Sequence, residues 1–337
     1  VFIVTPAKVL TSMTHMPYLA WVGIIIIYYF IATILPVDKI IGKVYPLFGA
    51  AFIIMALSMF GLLLFGDYSI PELTSFDNMH FNAESLPIIP TLFISIACGA
   101  ISGFHATQSP LMARCMTNEK QSRPVFFGAM ISESIIALIW AAIAMAFWGG
   151  IEGLNDFMVK NSSDAGLAVS TISVTTLGVV GSILTLIGVV AAPITSGDTA
   201  FRSARLIVAD MLGIDQRSIV KRLLVSLPLF ALGIGIAFID FDVIWRYFAW
   251  SNQALSVITL WMITAWLSRK HSNYVMLSLI PAMFMTYVCS AFVFVSNQFV
   301  GMGACNEAYV YAAALTAIIA GLMMLKIRKD VKSGLGV

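Results

Sequence analysis

The sequence predicts an all-α polytopic membrane protein, a helical bundle of about nine spans with broken helices among them. Three observations lead there. Hydrophobic residues make up 60% of the 337 and charged residues 11%, whereas soluble domains carry about a quarter charged; mean hydropathy is +0.94. Apolar runs recur at the length needed to cross a hydrocarbon core, roughly 20 residues. The connections between them alternate in charge along the chain. None is long enough to be a soluble domain, so residues 1–337 are expected to form one transmembrane domain.

Taken in order, spans are expected at 18–36, 46–65, 88–113, 125–149, 169–197, 217–239, 243–267, 273–296 and 307–327, with room for a further half-span in 1–17. Lys and Arg collect on the cytoplasmic side of short loops. One set of alternate segments holds 16 of the 19 Lys and Arg residues, and the other holds only Lys8, Lys160 and Arg246 beside ten acids. This partition places the C-terminus in the cytoplasm and residue 1 outside. The chain opens VFIVTPAKVL, with neither Met nor the basic, apolar, small-residue order of a cleavable signal. An external start fits an odd number of spans upstream, so N-terminal spans are expected to be missing.

Cys98, Cys115, Cys289 and Cys305 stand singly, without metal-site spacing, which predicts no disulfide and no structural metal. The net charge of +2 gives no argument for nucleic acid. Trp and Tyr at the span ends fit an interfacial belt, and the 18 Met residues fit adaptable packing.

The stretch ISGFHATQSP, 101–110, interrupts an apolar run. A helix over 88–116 would extend about 43 Å, more than the core needs. Gly99 and Gly103 loosen it and Pro110 removes an amide donor, so a discontinuity is expected around Ser102 to Ser109. Non-helical backbone at membrane depth must be buried in protein or line a watery cavity, and in transporters it binds cargo. The bland alternative is a simple kink with Ser and Thr bonded back to the backbone. His105 weighs against it, because an ionisable group within a span is costly and imidazole ordinarily titrates near physiological pH.

A second interruption is expected at 188–205, GVVAAPITSGDTAFRSAR. Thr195, Ser196 and Asp198 there offer hard oxygen ligands for a cation, and Asp198 equally offers a proton site. The alternative reading is a helix exit, with Asp198 or Thr199 capping an amphipathic helix 199–212 while Arg202 and Arg205 meet lipid headgroups. Upstream, Gly178, Gly181, Ser182, Thr185 and Gly188 form a small-residue face suited to close helix packing. Glu133 in GAMISESIIALIW is expected to be hydrogen-bonded and neutral, or paired inside the bundle, with a coupling or gating role. Asn252 and Gln253 are helix glue or cavity-facing. No nucleotide-binding loop, paired-His zinc motif or potassium-filter sequence is present.

The stretches SGFHATQSPLMARCMTNE, FFGAMISESIIALIWAAIAM and VVAAPITSGDTAFRSARLIVAD resemble the hallmark segments of the carbon starvation protein CstA family, of the short bacterial type. The resemblance implies a secondary transporter of the bacterial inner membrane linked to carbon starvation. Peptides or pyruvate would be its substrates, and protons are favoured over sodium as the coupling ion. It also implies a LeuT-like inverted-repeat fold of the amino acid-polyamine-organocation superfamily. On that plan 18–36 is the fourth helix, 88–113 the sixth and 169–197 the eighth, whose inner end carries Thr195 and Ser196. The first broken helix has no counterpart here.

The expectation is therefore a coupled importer of a small carboxylate or peptide, not an enzyme, with substrate and lipid bilayer as its partners and no cofactor beyond the coupling ion. Substrate would meet Ser102, Gly103, Phe104, His105, Thr107, Gln108 and Ser109. His105, Glu133 and Asp198 are the candidate coupling groups, and Thr195, Ser196 and Asp198 the candidate cation ligands. A membrane sensor or regulatory subunit without flux, or a channel, is the alternative.

Overall fold

The computed structural model describes residues 2–332 except 15, 35–36, 73, 75, 101–102, 162, 240 and 271–272; the side chains of 34, 37–45, 97–100, 103–104, 106–108, 111, 241–242 and 332 also fall outside the described set. In chain order the helices are α1 (Val4–Thr14), α2 (Tyr18–Ile34), α3 (Val37–Phe65), α4 (Phe93–Ala100), α5 (Gly103–Cys115), α6 (Ala129–Phe147) and α7 (Ile151–Lys160). They continue as α8 (Ala165–Leu184), α9 (Ala191–Met211), α10 (Ile219–Ala237), α11 (Phe241–Arg269), α12 (Val275–Val295) and α13 (Asn306–Lys332). Short π turns precede α4, α6 and α9, at Ile88–Leu92, Arg123–Gly128 and Thr185–Val190. No strand occurs among the described residues.

Among the described residues six helical stretches are long and apolar enough to cross a membrane: Pro46–Phe65, Glu119–Phe147, Ala165–Met211, Ile219–Ala237, Val275–Val295 and Asn306–Val331. Tyr18–Thr33 is a shorter apolar helix. The chain divides into two compact units, one of Val1–Phe76 with Ile131–Ile244 and one of Asp77–Met130 with Trp245–Val337.

In the first unit α1 fills the space expected for a half-span. Its Pro6 sits in the first turn, where a missing amide costs no helical bond. Val9 and Leu10 then pack with Val22, Ile25, Tyr29, Val190 and Phe230 into one core. α2 shows a lipid-facing helix turned inside out: Leu19, Ile27 and Ile31 are exposed, while Ile25, Tyr29 and Ala32 are buried on the opposite face. A second core joins Met55 and Met59 of α3 to Ile139, Ile143, Ile172 and Leu184.

The run Ala165–Met211 departs most from expectation. It is helical through Pro193 and Gly197, so of the interruption expected at 188–205 only the end of the π turn, to Val190, is present. The irregularities lie upstream, at Gly178 (φ 58°, ψ −134°) and in the π turn before α9. Gly178 adopts a sparsely populated conformation that costs an L side chain about 1–3 kcal/mol. A Cβ at Gly181 would lie 1.9 Å from the Ser173 carbonyl oxygen, so the doubled-back chain closes only over glycine. The small-residue face does pack, since Gly188 rests against the Phe52 backbone, but two of its members shape a bend. Asp198 and Thr199 lie inside α9 and cap nothing.

In the second unit α12 and α13 form a tight hairpin. Ala282, Ala291, Ala308 and Ala312 are fully buried, and such small residues bring helix backbones close. α11 is tied to α12 by side chains: Trp261 Nε1 donates to Thr286 Oγ1 at 3.1 Å and Thr264 Oγ1 to Ser278 Oγ at 3.0 Å. Cys115 is exposed, Cys305 half-buried and Cys289 buried, and all three are free thiols; the Cys98 side chain lies outside the described residues.

Candidate functional site

The stretch 88–115 belongs to the second unit and departs from helical geometry ahead of the expected discontinuity. Ile89 has extended backbone (φ −101°, ψ 120°) ahead of α4. Its carbonyl, turned out of the helical ladder, accepts a hydrogen bond from the Tyr309 hydroxyl at 2.7 Å. α4 ends at Ala100 and α5 begins at Gly103. From Gly103 the backbone is helical through Pro110 to Cys115, so the unwinding expected over Ser102 to Ser109 is absent from 103–109. Proline at the eighth residue of α5 removes one amide bond without ending the helix. Ser102 lies outside the described residues, as do the side chains of Phe104, Thr107 and Gln108. His105 is partly exposed. Its carbonyl accepts from Ser109 Oγ at 2.7 Å, the back-bonding of the bland alternative.

Gln253 resolves as helix glue. It is fully buried, its Nε2 reaches the Ile94 carbonyl at 3.4 Å, and its Oε1 accepts from Ser256 Oγ at 3.3 Å. Its tie is to α4, the short helix that follows the bend. Asn252 is buried beside it.

The first unit holds a charged cluster that the sequence reading placed at the headgroups. Arg202 and Arg205 are each 5% exposed and Asp198 2%. They share one face of α9, since residues three and four apart are neighbours on a helix. Arg202 Nη2 donates to both carboxylate oxygens of Asp198 at 3.3 Å and to the Ala32 carbonyl at 3.1 Å. Arg205 Nη1 donates to the Thr33 carbonyl at 3.0 Å. Ala32 and Thr33 stand in the last turn of α2, whose carbonyls lack helical partners and carry the negative end of the dipole. Two guanidinium groups in a low-dielectric site are thus offset by one carboxylate and one helix terminus. The signal was legible as Asp198 and Arg202 at a spacing of four, but burial was not.

Around this cluster α2 and α9 approach closely. A Cβ on Gly197 would lie 2.1 Å from Tyr29 Oη, and that hydroxyl donates to the Phe2 carbonyl at 2.8 Å. Tyr29 and Phe201 rings lie 5.5 Å apart. Of the other candidate ligands, Thr195 Oγ1 donates to the Ala192 carbonyl at 2.8 Å and Ser196 is half-buried. Glu133, expected deep in the bundle, is exposed on α6 near its start. Glu133 and Asp198 thus fall in the first unit and His105 in the second. Among the described residues no cluster of three or more His, Cys, Asp or Glu has the makings of a metal site.

The long apolar helices define a polytopic helical membrane protein, and comparison with known proteins gives its family. The model of the family "Carbon starvation protein CstA" matches residues 3–180; the chain belongs to that family. It is 44% identical to an uncharacterized membrane protein of Haemophilus influenzae over 152 residues, 40% of this chain and 41% of that one. It is 29% identical to the pyruvate/proton symporter BtsT of Escherichia coli over 146 residues, 42% of this chain and 20% of that one. It is 34% identical to the peptide transporter CstA of Helicobacter pylori over 106 residues, 31% of this chain and 15% of that one. The matched part is thus about two fifths of the first relative and a fifth or less of the other two. No solved structure matches.

Proposed function

We propose that this chain forms the core of a secondary transporter of the bacterial inner membrane, with a LeuT-like repeat and a cytoplasmic C-terminus, importing peptides or a small carboxylate such as pyruvate with protons. The observation that carries the coupling ion is the Asp198–Arg202 pair. A metal cation binding at Thr195, Ser196 and Asp198 would compete with a guanidinium already on both carboxylate oxygens. A proton arriving at Asp198 neutralises the carboxylate and loosens Arg202 from it, and Arg202 also holds the end of α2. Local charge is thereby linked to the position of a helix. The relatives named for pyruvate and proton, and for peptides, support the same reading.

On this reading substrate meets the chain around Ser102, Gly103, Phe104, His105, Thr107, Gln108 and Ser109, with His105 and Glu133 as further proton carriers. The test is uptake by the intact protein in proteoliposomes under separately imposed proton and sodium gradients. Proton-driven uptake that sodium cannot replace is expected. Asp198→Asn should abolish accumulation while leaving exchange of labelled for unlabelled substrate. Accumulation by Asp198→Asn at the wild-type rate removes Asp198 from coupling, and sodium-driven uptake overturns the choice of ion. His105→Ala retaining full gradient-dependent uptake removes His105.

A further inference from the structure

An open depression with about 580 Å³ of accessible space lies in the second unit beside the bend that precedes α4. Asn78 and Ala83 wall it from the preceding loop, Ile88 and Ile89 from the π turn, Tyr287 from α12 and Tyr309 from α13. None of the described lining side chains carries a charge. Two features show that its shape is held. Asn78 Nδ2 donates to the carbonyls of Leu86 at 2.7 Å and Ala83 at 3.4 Å, while its Oδ1 accepts from the His80 amide at 3.2 Å, so the loop is cross-braced. Tyr309, through its bond to the Ile89 carbonyl, holds the extended backbone against the wall. With its proton committed there, the Tyr309 oxygen keeps acceptor capacity for an N–H.

The volume lies in the range of sites for small organic ligands, about 300–1,000 Å³, and greatly exceeds what a three-carbon acid fills. An uncharged wall gives a carboxylate no partner, and desolvating it there is costly. Tyrosine faces and isoleucine branches instead suit an apolar or aromatic group. Resting on the transporter reading above, we propose that this depression is a subsite for the uncharged apolar side chain of a peptide.

Direct binding tests this independently of transport. The intact protein in detergent is titrated with Ala-Phe, Ala-Leu, Ala-Ala and Ala-Glu, and with pyruvate. Ala83→Trp fills the depression from a loop position. It should weaken Ala-Phe and Ala-Leu at least tenfold while Ala-Ala, Ala-Glu and pyruvate stay within twofold. Tyr309→Phe, which releases the Ile89 carbonyl, should weaken the same two peptides by several-fold. Equal weakening of all ligands by Ala83→Trp, or none, overturns the proposal. So does an unchanged peptide affinity accompanied by loss of co-purified phospholipid, which assigns the depression to an acyl chain. The same peptides offered to proteoliposomes read transport separately: side-chain-selective binding without uptake leaves the subsite standing and removes the transporter reading.

Discussion

Gly197 and Tyr29 set a close approach between α2 and α9 in the first unit. A methyl at 197 forces the phenol away from the Phe2 carbonyl and out of a core position that is fully buried. Gly197→Ala should destabilise by about 1–3 kcal/mol, the usual cost of overpacking. Removing the clashing oxygen should return part of that loss, so Gly197→Ala with Tyr29→Phe should be less unstable than the two single losses added. Thermal unfolding in detergent gives the comparison. The Asp198–Arg202 pair behaves differently, because removing one partner strands a buried charge. Arg202→Gln should cost more than an exposed pair would, in the range of about 3–5 kcal/mol.

The same residues show where sequence reading stops. Asp198, Arg202 and Arg205 were legible as a group by spacing, and their chemistry as hard oxygen beside cation. Their burial was not, because α9 continues inward only where α2 presents bare carbonyls to receive them. That is a fact about two segments some 170 residues apart. Tyr309 carried no signal for the same reason: its partner Ile89 is 220 residues away.

At the scale of elements, glycine and proline marked the broken segments but not the break points. Pro110 and Pro193 sit inside continuous helices, whereas the departures fall at Ile89 and Gly178. A proline removes one donor, and neighbouring turns absorb that; a positive φ redirects the chain. The two bend glycines should therefore separate on mutation. Gly178→Ala meets open space and should cost about 1–3 kcal/mol for its backbone angle alone. Gly181→Ala drives a methyl into a carbonyl and should abolish folded yield, read by size-exclusion profile.

The loop from Asp77 to Leu86 should respond to acid. Burial holds the His80 imidazole below its ordinary value, and its Nδ1 accepts the Asn82 amide at 3.0 Å, which requires the neutral ring. A lowered value in the folded loop means that protonation favours the opened form. The stabilisation is complete above the unfolded value near 6.5 and declines as pH falls below it. Hydrogen exchange at the Asn82 amide, corrected for intrinsic rate, should accelerate between pH 7 and pH 5, and His80→Gln should flatten that dependence.

At the scale of the whole chain, composition and charge alternation established the membrane class and the order of most helices. They did not show that the stretch 165–211 turns sharply at Gly178, or that a helix occupies 4–14. Hydropathy reports which segments are apolar, not whether two of them share a hydrogen-bond ladder. The charge partition makes its own forecast. A fluorescent protein fused after residue 337 should light up in the cytoplasm, and alkaline phosphatase there should stay inactive; the reverse would invert the orientation.

The free cysteines supply a second reading of that orientation without any added tag. Cys115 ends α5 in the basic set of segments, Cys305 lies in the α12–α13 turn in the acidic set, and Cys289 is shielded within α12. With Cys98 replaced by Ser, an impermeant maleimide should modify whole cells at Cys305 alone. Opening the membrane should add Cys115, and Cys289 should stay dark until the protein is denatured. On the proposed orientation, one thiol would report from each side of the bilayer and a third only on unfolding.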